Sequence, residues 1–122
     1  MANELHITTC DNELIIIAYQ WGASFEICTI FSGNNNVVDV KIPLQTGVYT
    51  RGVHLNGVSS PLTGTYNVNL AEGDYSLVAM GVNWGGPQGF SFTLNGTTYD
   101  SSKAPDGNGL VWNTDPIAVK LG

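Results

Sequence analysis

The chain has 122 residues, the size of one ordinary domain, and is long enough to bury a core without metals or disulfides. Ten acidic residues oppose four scattered basic ones, and this net charge of −6 disfavours nucleic acid and anionic membranes as partners. Only 11% of the residues are charged, which argues against disorder, and the 15 glycines favour turns and strands over helices. We therefore expect a single domain over residues 1–122.

The N-terminal sequence lacks the basic segment and apolar run of a signal peptide. The longest apolar run, residues 14–19, is too short to cross a bilayer. The sequence thus predicts no transmembrane segment and a protein that is cytoplasmic as synthesised. The alternatives are a signal that has been cut off and release by a non-classical route. Cys10 and Cys28 do not have the spacing of a zinc site. In the cytosol they would remain buried free thiols, and a disulfide is the alternative.

Alternation of apolar and polar residues predicts strands in the first half of the chain at 4–10, 14–21, 25–31, 37–42 and 47–55. The segment 14–21 is apolar on both faces, which is typical of a central strand buried on both sides. A loop is expected at 32–36. Pro43 should end the fourth strand or place it at an edge, since proline cannot donate to a ladder. Gly52 is a candidate β-bulge in the fifth strand.

The second half of the chain continues the pattern, with strands predicted at 65–70, 75–84, 90–94, 97–100, 110–112 and 116–121. Phe90, Phe92 and Leu94 alternate with polar residues and should face inward. Asn95–Gly96 is a strong signal for a two-residue hairpin turn. Eight to ten short strands without significant helix predict an all-β fold, an antiparallel two-sheet β-sandwich of jelly-roll-like type.

Catalytic groups are sparse. His6 and His54 both fall in predicted strands, and no nucleophile motif accompanies them, so we interpret both as outward-facing strand residues. Glu26 and Asp39 also lie in strands, where they could face one another as a carboxylate pair across a sheet. The other acidic residues fall mostly at turns. The sequence therefore predicts a protein that is not an enzyme.

The C-terminal stretch collects oxygen-bearing side chains of the kind that calcium prefers, at Asp100, Asp106, Asn108 and Asp115. Residues 106–109 begin like an EF-hand loop, but the following positions depart from that motif. A looser calcium site at these four residues is one interpretation. The alternative is turn chemistry, in which Asp and Asn bond their own backbone. No cofactor is required, and calcium is the one these residues could accept.

Three tryptophans, Trp21, Trp84 and Trp112, stand at strand ends beside turns. An aromatic face flanked by amides and carboxylates is a combination suited to sugars, whose C–H groups pack on rings and whose hydroxyls form hydrogen bonds. The predicted ligand-binding residues are Asn83, Trp84, Gln88, Asn108, Trp112 and Asn113. Rings that fill the ends of the sandwich, or a protein–protein contact, are the alternatives.

The short, acidic, Gly/Asn/Thr-rich and all-β character is similar to that of small soluble bacterial or fungal lectins, although no diagnostic motif carries the resemblance. We predict a non-catalytic module that binds a carbohydrate or glycoconjugate and forms a homo-oligomer. The alternative is a self-assembling structural subunit or a component of a toxin or particle. Its support is the low charge and the lack of catalytic groups.

Overall fold

The computed structural model describes residues 3–33 and 37–122, which form twelve strands and no helix. The strands are β1 Asn3–Cys10, β2 Asn12–Gln20, β3 Ala23–Ser32, β4 Val38–Thr46, β5 Val53–Gly57, β6 Leu62–Thr65, β7 Val68–Leu70, β8 Gly73–Trp84, β9 Phe90–Leu94, β10 Thr97–Asp100, β11 Asn108–Asn113 and β12 Ile117–Leu121. The predicted all-β class is confirmed. The strands outnumber the eight to ten expected, partly because the predicted strand at 65–70 is divided between β6 and β7. No helix in the described part of the chain could cross a bilayer.

The strands form two packed six-stranded sheets. Sheet A has the order β10-β9-β1-β4-β6, with β7 also paired to β4. Sheet B has the order β11-β8-β2-β3-β5, with β12 also paired to β8. The predicted two-sheet sandwich is confirmed, but the expectation of purely antiparallel sheets is wrong. β5 runs parallel to β3 after the chain has passed through β4 of sheet A. β6 and β7, which follow one another along β4, run parallel to it after the chain has passed through β5 of sheet B.

The core lies between the sheets and is filled by the inward side of each strand. Phe90, Phe92 and Leu94 are buried there, as predicted. Burial of a large apolar side chain of this kind contributes about 1.5–3 kcal/mol to stability. Cys10 and Cys28 are buried free thiols, which confirms that prediction. Burial raises the pKa of the Cys10 thiol to about 12 and also raises the pKa of Cys28.

Local turn and proline chemistry explains two details of sheet A. Asn95 and Gly96 have φ values of 51° and 88°, the positive pair that a type I′ hairpin turn requires, as predicted. Pro43 lies inside β4, so the expectation that it ends or edges the strand is wrong. β4 pairs with β6 up to Lys41 and with β7 from Leu44, and the proline falls in the gap between those two partners.

The segment 47–55 was predicted as one strand, but only its end belongs to β5. Gly52 precedes β5, so its interpretation as a bulge within the strand is wrong. A Cβ at Gly52 would lie 2.6 Å from the Glu26 carbonyl oxygen, so the glycine permits a close approach of two backbones. Of the loop predicted at 32–36, residues 34–36 lie outside the described residues.

β2 is central in sheet B, as its apolar sequence predicts, but only its inner face is covered. Leu14 and Ile16 are completely buried in the core. Ile15 and Ile17 point to the opposite face of the sheet and are only half-buried. The prediction that both faces of this strand are buried is therefore wrong for the described chain.

Candidate functional site

An open groove lies where the edge of sheet A approaches the edge of sheet B. Its volume is about 660 Å³, within the range of small-molecule sites. β10 forms one side, and Trp112 with the β11–β12 connection forms the other; the lining residues are Thr98, Tyr99, Asp100, Trp112, Thr114, Asp115, Pro116, Ile117 and Ala118. The groove thus combines aromatic and acidic side chains from both sheets.

Two aromatic rings in the groove rest on two phenylalanines of the core. The Trp112 ring is stacked on Phe90, with centroids 6.0 Å apart and planes 10° apart, and meets Phe92 edge-on at 6.2 Å. The Tyr99 ring is stacked on Phe92 at 5.3 Å. Phe90 and Phe92 are buried, so they fix the rings above them. Such pairs contribute about 0.5–1.5 kcal/mol each beyond area burial.

A change of register in β11 turns Trp112 toward the groove. Leu110 lies opposite Val82 on the outer side of sheet B, whereas Trp112 lies opposite Gly81 on the inner side. The register shifts between Leu110 and Trp112, and the extra residue is Val111. A β-bulge of this kind re-aims a side chain. Trp112 therefore faces inward. The alternation of apolar and polar residues in the sequence does not show where the bulge occurs.

Gly81 makes room for the aromatic stack. A Cβ at this position would lie 2.6 Å from two ring atoms of Phe90, a distance that real Cβ contacts essentially never show. The absence of a side chain at Gly81 therefore lets Phe90 lie against β8 and support Trp112. This glycine is a signal that the sequence interpretation missed.

The β11–β12 connection is pinned to β8 by one residue. The Thr114 backbone N–H donates to the Ala79 carbonyl oxygen at 3.0 Å, and the Ala79 N–H donates to Thr114 Oγ1 at 3.0 Å. Thr114 is buried, and the next residue, Asp115, is exposed. These two hydrogen bonds thus fix the backbone next to Asp115, which borders the groove.

Two carboxylates stand at the groove. Asp100 Oδ1 accepts hydrogen bonds from the Ser102 hydroxyl at 2.7 Å and the Ser102 backbone N–H at 3.1 Å, and these bonds lower the pKa of Asp100. Asp115, the Tyr99 hydroxyl and the Trp112 indole N–H form no hydrogen bond with another described residue. The groove therefore offers acceptors and donors beside two ring faces.

Asn83 and Gln88, both predicted to bind ligand, hold loops together. Asn83 is buried, and its Nδ2 donates to the carbonyl oxygens of Gly86 at 2.8 Å and Gly107 at 2.7 Å. Gln88 Nε2 donates to two carbonyl oxygens of segment 101–104, at 2.9 and 3.0 Å. Their amide N–H groups are thus used within the protein, and their role in ligand binding stays a prediction.

The other predicted ligand residues do not gather at one place. Trp84 and Asn108 are partners across β8 and β11, and Trp84 points to the outer side of sheet B. Asn113 lies beside Met80 on that same side. Trp112 is the one member of the predicted set that lines the groove. The sequence interpretation also missed Tyr99, which the Asn95–Gly96 hairpin returns to a position opposite Phe92.

The four residues predicted to bind a metal are divided between two places. Asp100 and Asp115 border the groove. Asp106 Oδ1 accepts a hydrogen bond from the Gln88 backbone N–H at 3.2 Å, and Asn108 lies in β11. Within residues 3–33 and 37–122, no three His, Cys, Asp or Glu side chains form a group that could hold a metal ion. Calcium binding stays a prediction.

A second polar cleft lies at the β5 edge of sheet B and centres on Glu26. Glu26 Oε1 is 2.5 Å from His54 Nε2, and Glu26 Oε2 accepts a hydrogen bond from the Thr29 hydroxyl at 2.6 Å. The Thr29 bond and, to a lesser degree, His54 lower the pKa of Glu26 against the opposing effect of burial. The Tyr49 hydroxyl donates to the Glu26 carbonyl oxygen at 2.9 Å. Sequence reasoning missed this cluster, because its members are distant along the chain.

The carboxylate pair considered for catalysis does not form across one sheet. Glu26 belongs to β3 of sheet B, and Asp39 belongs to β4 of sheet A. Each carboxylate has a histidine partner instead: Glu26 meets His54, and Asp39 Oδ1 lies 2.6 Å from His6 Nε2. Both histidines lie in strands, with His54 the more exposed.

Comparison with protein-family models, curated proteins and solved structures finds no match to this chain. The groove and its chemistry are therefore interpreted from their own geometry.

Proposed function

We propose that the groove binds a carbohydrate and that the protein is a non-catalytic binding module. The observation that carries this proposal is the pair of rings, Trp112 and Tyr99, held on a buried phenylalanine support beside two carboxylates. Flat ring faces suit the C–H faces of a sugar, and Asp100 and Asp115 suit its hydroxyl groups as charged acceptors. A fixed support limits the conformational entropy lost on binding.

The position of the groove also supports the proposal. It lies between two edge regions of a rigid sandwich, and recognition residues on such scaffolds are commonly carried by loops and strand ends. The site of this proposal differs from the one predicted from sequence, since Tyr99 is added to it, while Trp84 and Asn83 do not line the groove. Trp112 belongs to both.

The experiment is a glycan array followed by calorimetry on a bound glycan. Asp115→Asn removes the charged acceptor at an exposed position, and hydrogen bonds to charged groups are worth about 1.5–3 kcal/mol, so we expect affinity to fall about 10- to 150-fold. Trp112→Phe retains a ring on Phe90 but presents a smaller face, and we expect a loss of about 2- to 12-fold.

The matched controls are Trp84→Ala and Trp21→Ala, which remove exposed tryptophans that do not line the groove. Both variants should bind like the wild type. Repeating the titration with a chelator tests the calcium predicted from the sequence. The proposal is overturned if no glycan binds above background, or if Trp84→Ala abolishes binding while Asp115→Asn does not.

A further inference from the structure

The outer side of sheet B is apolar along its two central strands. Ile15 lies beside Met80, and Ile17 lies beside Val78, in the register of β2 and β8. Val82 is the next outward residue along β8. We call these five half-buried side chains the apolar face. The solvent side of an antiparallel sheet normally carries polar residues, so an uncovered face of this composition indicates a partner.

Larger apolar side chains extend the apolar face at one end. The Trp84 ring is stacked on Phe31 with centroids 6.2 Å apart, and Trp84 remains 53% exposed. Leu110, opposite Val82, is 60% exposed. Aromatic residues and methionine are enriched in the cores of protein interfaces, so the chemistry of this surface is that of a contact with protein.

The outer side of sheet A serves as an internal comparison. His6 in the central strand β1 lies between Lys41 on β4 and Thr93 on β9. His6 also contacts Asp39. One sheet of the sandwich therefore has an ordinary polar surface, and the apolar character of the other is specific to sheet B.

We propose that a second copy of this chain covers the apolar face, so that two molecules pack sheet B against sheet B. Sheet B is five strands wide beside residues 13–16 of β2, where β5 is present, and four strands wide beside residues 17–19. At about 4.8 Å per strand and about 3.3 Å per residue, the flat area of the outer side is about 500 Å². Side-chain relief raises this area toward the about 800 Å² per partner that a standard interface buries.

Charge favours a second copy over a lipid surface. Among the strands of sheet B, only β12 contributes a lysine or arginine to the outer side, Lys120, and it lies opposite Asp74 of β8; the chain has a net charge of −6. An anionic membrane would therefore gain little attraction at this surface. Of the outward carboxylates on these strands, Glu26 contacts His54, Asp74 lies opposite Lys120, and Glu13 is the third. Two copies can thus bring their apolar centres together with few like charges opposed.

Sheet geometry also favours a copy of the same surface. Twisted sheets pack face to face about 10 Å apart, with their strands turned by about 30°, as in other β-sandwiches. Identical faces have the same twist and the same spacing of side chains. A two-fold interface brings the same patch of both molecules together, so the apolar residues at the centre of one face meet those of the other.

The test measures the mass of the protein by sedimentation equilibrium. The wild type should give a dimer, 2 × 13.0 kDa = 26.0 kDa. Met80→Lys places a charge in the apolar face and should weaken the dimer by about 100-fold or more. Thr93→Lys makes the same change at an outward, half-buried position of sheet A, and this control should remain dimeric. Leu110→Lys changes an exposed position. If circular dichroism shows that Met80→Lys is misfolded, Leu110→Lys provides the second variant that should be monomeric.

A wild type that stays monomeric at about 100 µM overturns the proposal, because a specific interface of this size holds well below that concentration. A dimer that survives both Met80→Lys and Leu110→Lys also overturns it, since another surface then makes the contact. So does a monomer that binds phosphatidylcholine vesicles and loses that binding in Met80→Lys. Neither substitution touches the groove, so glycan affinity should be unchanged and the two proposals fail separately.

Discussion

Gly81→Ala tests whether the space under Phe90 positions the aromatic rings of the groove. The backbone of Gly81 is not in the left-handed region, so alanine is sterically possible for the chain itself. The new Cβ would lie 2.6 Å from two atoms of the Phe90 ring, and Phe90 is 2% exposed. Neither group can move away without disturbing Trp112, which is stacked on that ring.

The expected cost follows from two opposing effects. Overpacking of a close-packed core by one methyl group costs about 1–3 kcal/mol. The lower entropy of an unfolded chain that has alanine in place of glycine offsets about 0.4–1 kcal/mol of that cost. The midpoints of these two ranges, about 2 and about 0.7 kcal/mol, leave a net loss of about 1.3 kcal/mol in the free energy of unfolding of Gly81→Ala. For a chain of this length that loss corresponds to a fall in Tm of about 5 °C.

Urea denaturation followed by circular dichroism measures this loss, and near-ultraviolet circular dichroism reports the displacement of Trp112. Gly89→Ala is the matched control, because its Cβ would lie 3.5 Å from Thr9 Cγ2, an ordinary contact. Phe90→Leu should relieve the clash, so Gly81→Ala should cost less in that background. A Gly81→Ala protein as stable as the wild type, or an equal cost in both backgrounds, would refute the reasoning.

Three further predictions concern polar and titratable groups. Asn83→Ala should lower the free energy of unfolding by about 1–3 kcal/mol in urea denaturation, because it removes the two hydrogen bonds that hold the loops at Gly86 and Gly107 to a buried amide. Thr29→Val should raise the pKa of Glu26 in an NMR titration. The folded-state pKa of Glu26 is lowered, so the ionised carboxylate stabilises the protein above the unfolded-state pKa, and this stabilisation is lost as pH falls through the folded-state pKa. In Thr29→Val this contribution to stability is smaller, so acid should remove less stability from the variant than from the wild type. Cys10 and Cys28 should resist alkylation at pH 8, since both thiols are buried with raised pKa values.

Each of these predictions has a control. Asn67→Ala removes an exposed asparagine and should leave stability unchanged; an equal loss would contradict the role of Asn83. Thr29→Ser keeps the hydroxyl and should keep the pKa of Glu26 low, so a rise there would contradict the hydrogen-bond explanation. For the cysteines, mass spectrometry should find two alkylated thiols in denaturant. Rapid alkylation of the folded protein would contradict the burial of the two thiols.

Local signals in the sequence were sufficient for most of the strands. Asn95 and Gly96 fix a hairpin through their own backbone preferences, and Phe90, Phe92 and Leu94 alternate because one face of β9 is buried. Which distant strands pair with each other within a sheet was not predictable in the same way. The parallel pairings of β5, β6 and β7 depend on the chain crossing between sheets, and no local pattern encodes that path.

The candidate site was predictable only in part. The chemistry of Trp112, Asp100 and Asp115 predicts that they bind ligand or metal, and all three border the groove. The bulge at Val111 and the space at Gly81 arise from tertiary packing, so simple alternation does not reveal where Trp112 points. For β2, the apolar pattern on both faces predicted a covered strand. The described residues cover the inner face of β2. The outer face of β2 belongs to the surface that we propose packs against a second copy.

The place of β1 in sheet A has a consequence for biosynthesis. β1 lies between β4 and β9, and its residue Cys10 pairs with Phe90. A nascent chain cannot pair both sides of β1 until the ribosome has added the segment that becomes β9, several seconds later at about 5–20 residues per second. We therefore expect folding to be slow, because β1 depends on a partner that lies far along the chain.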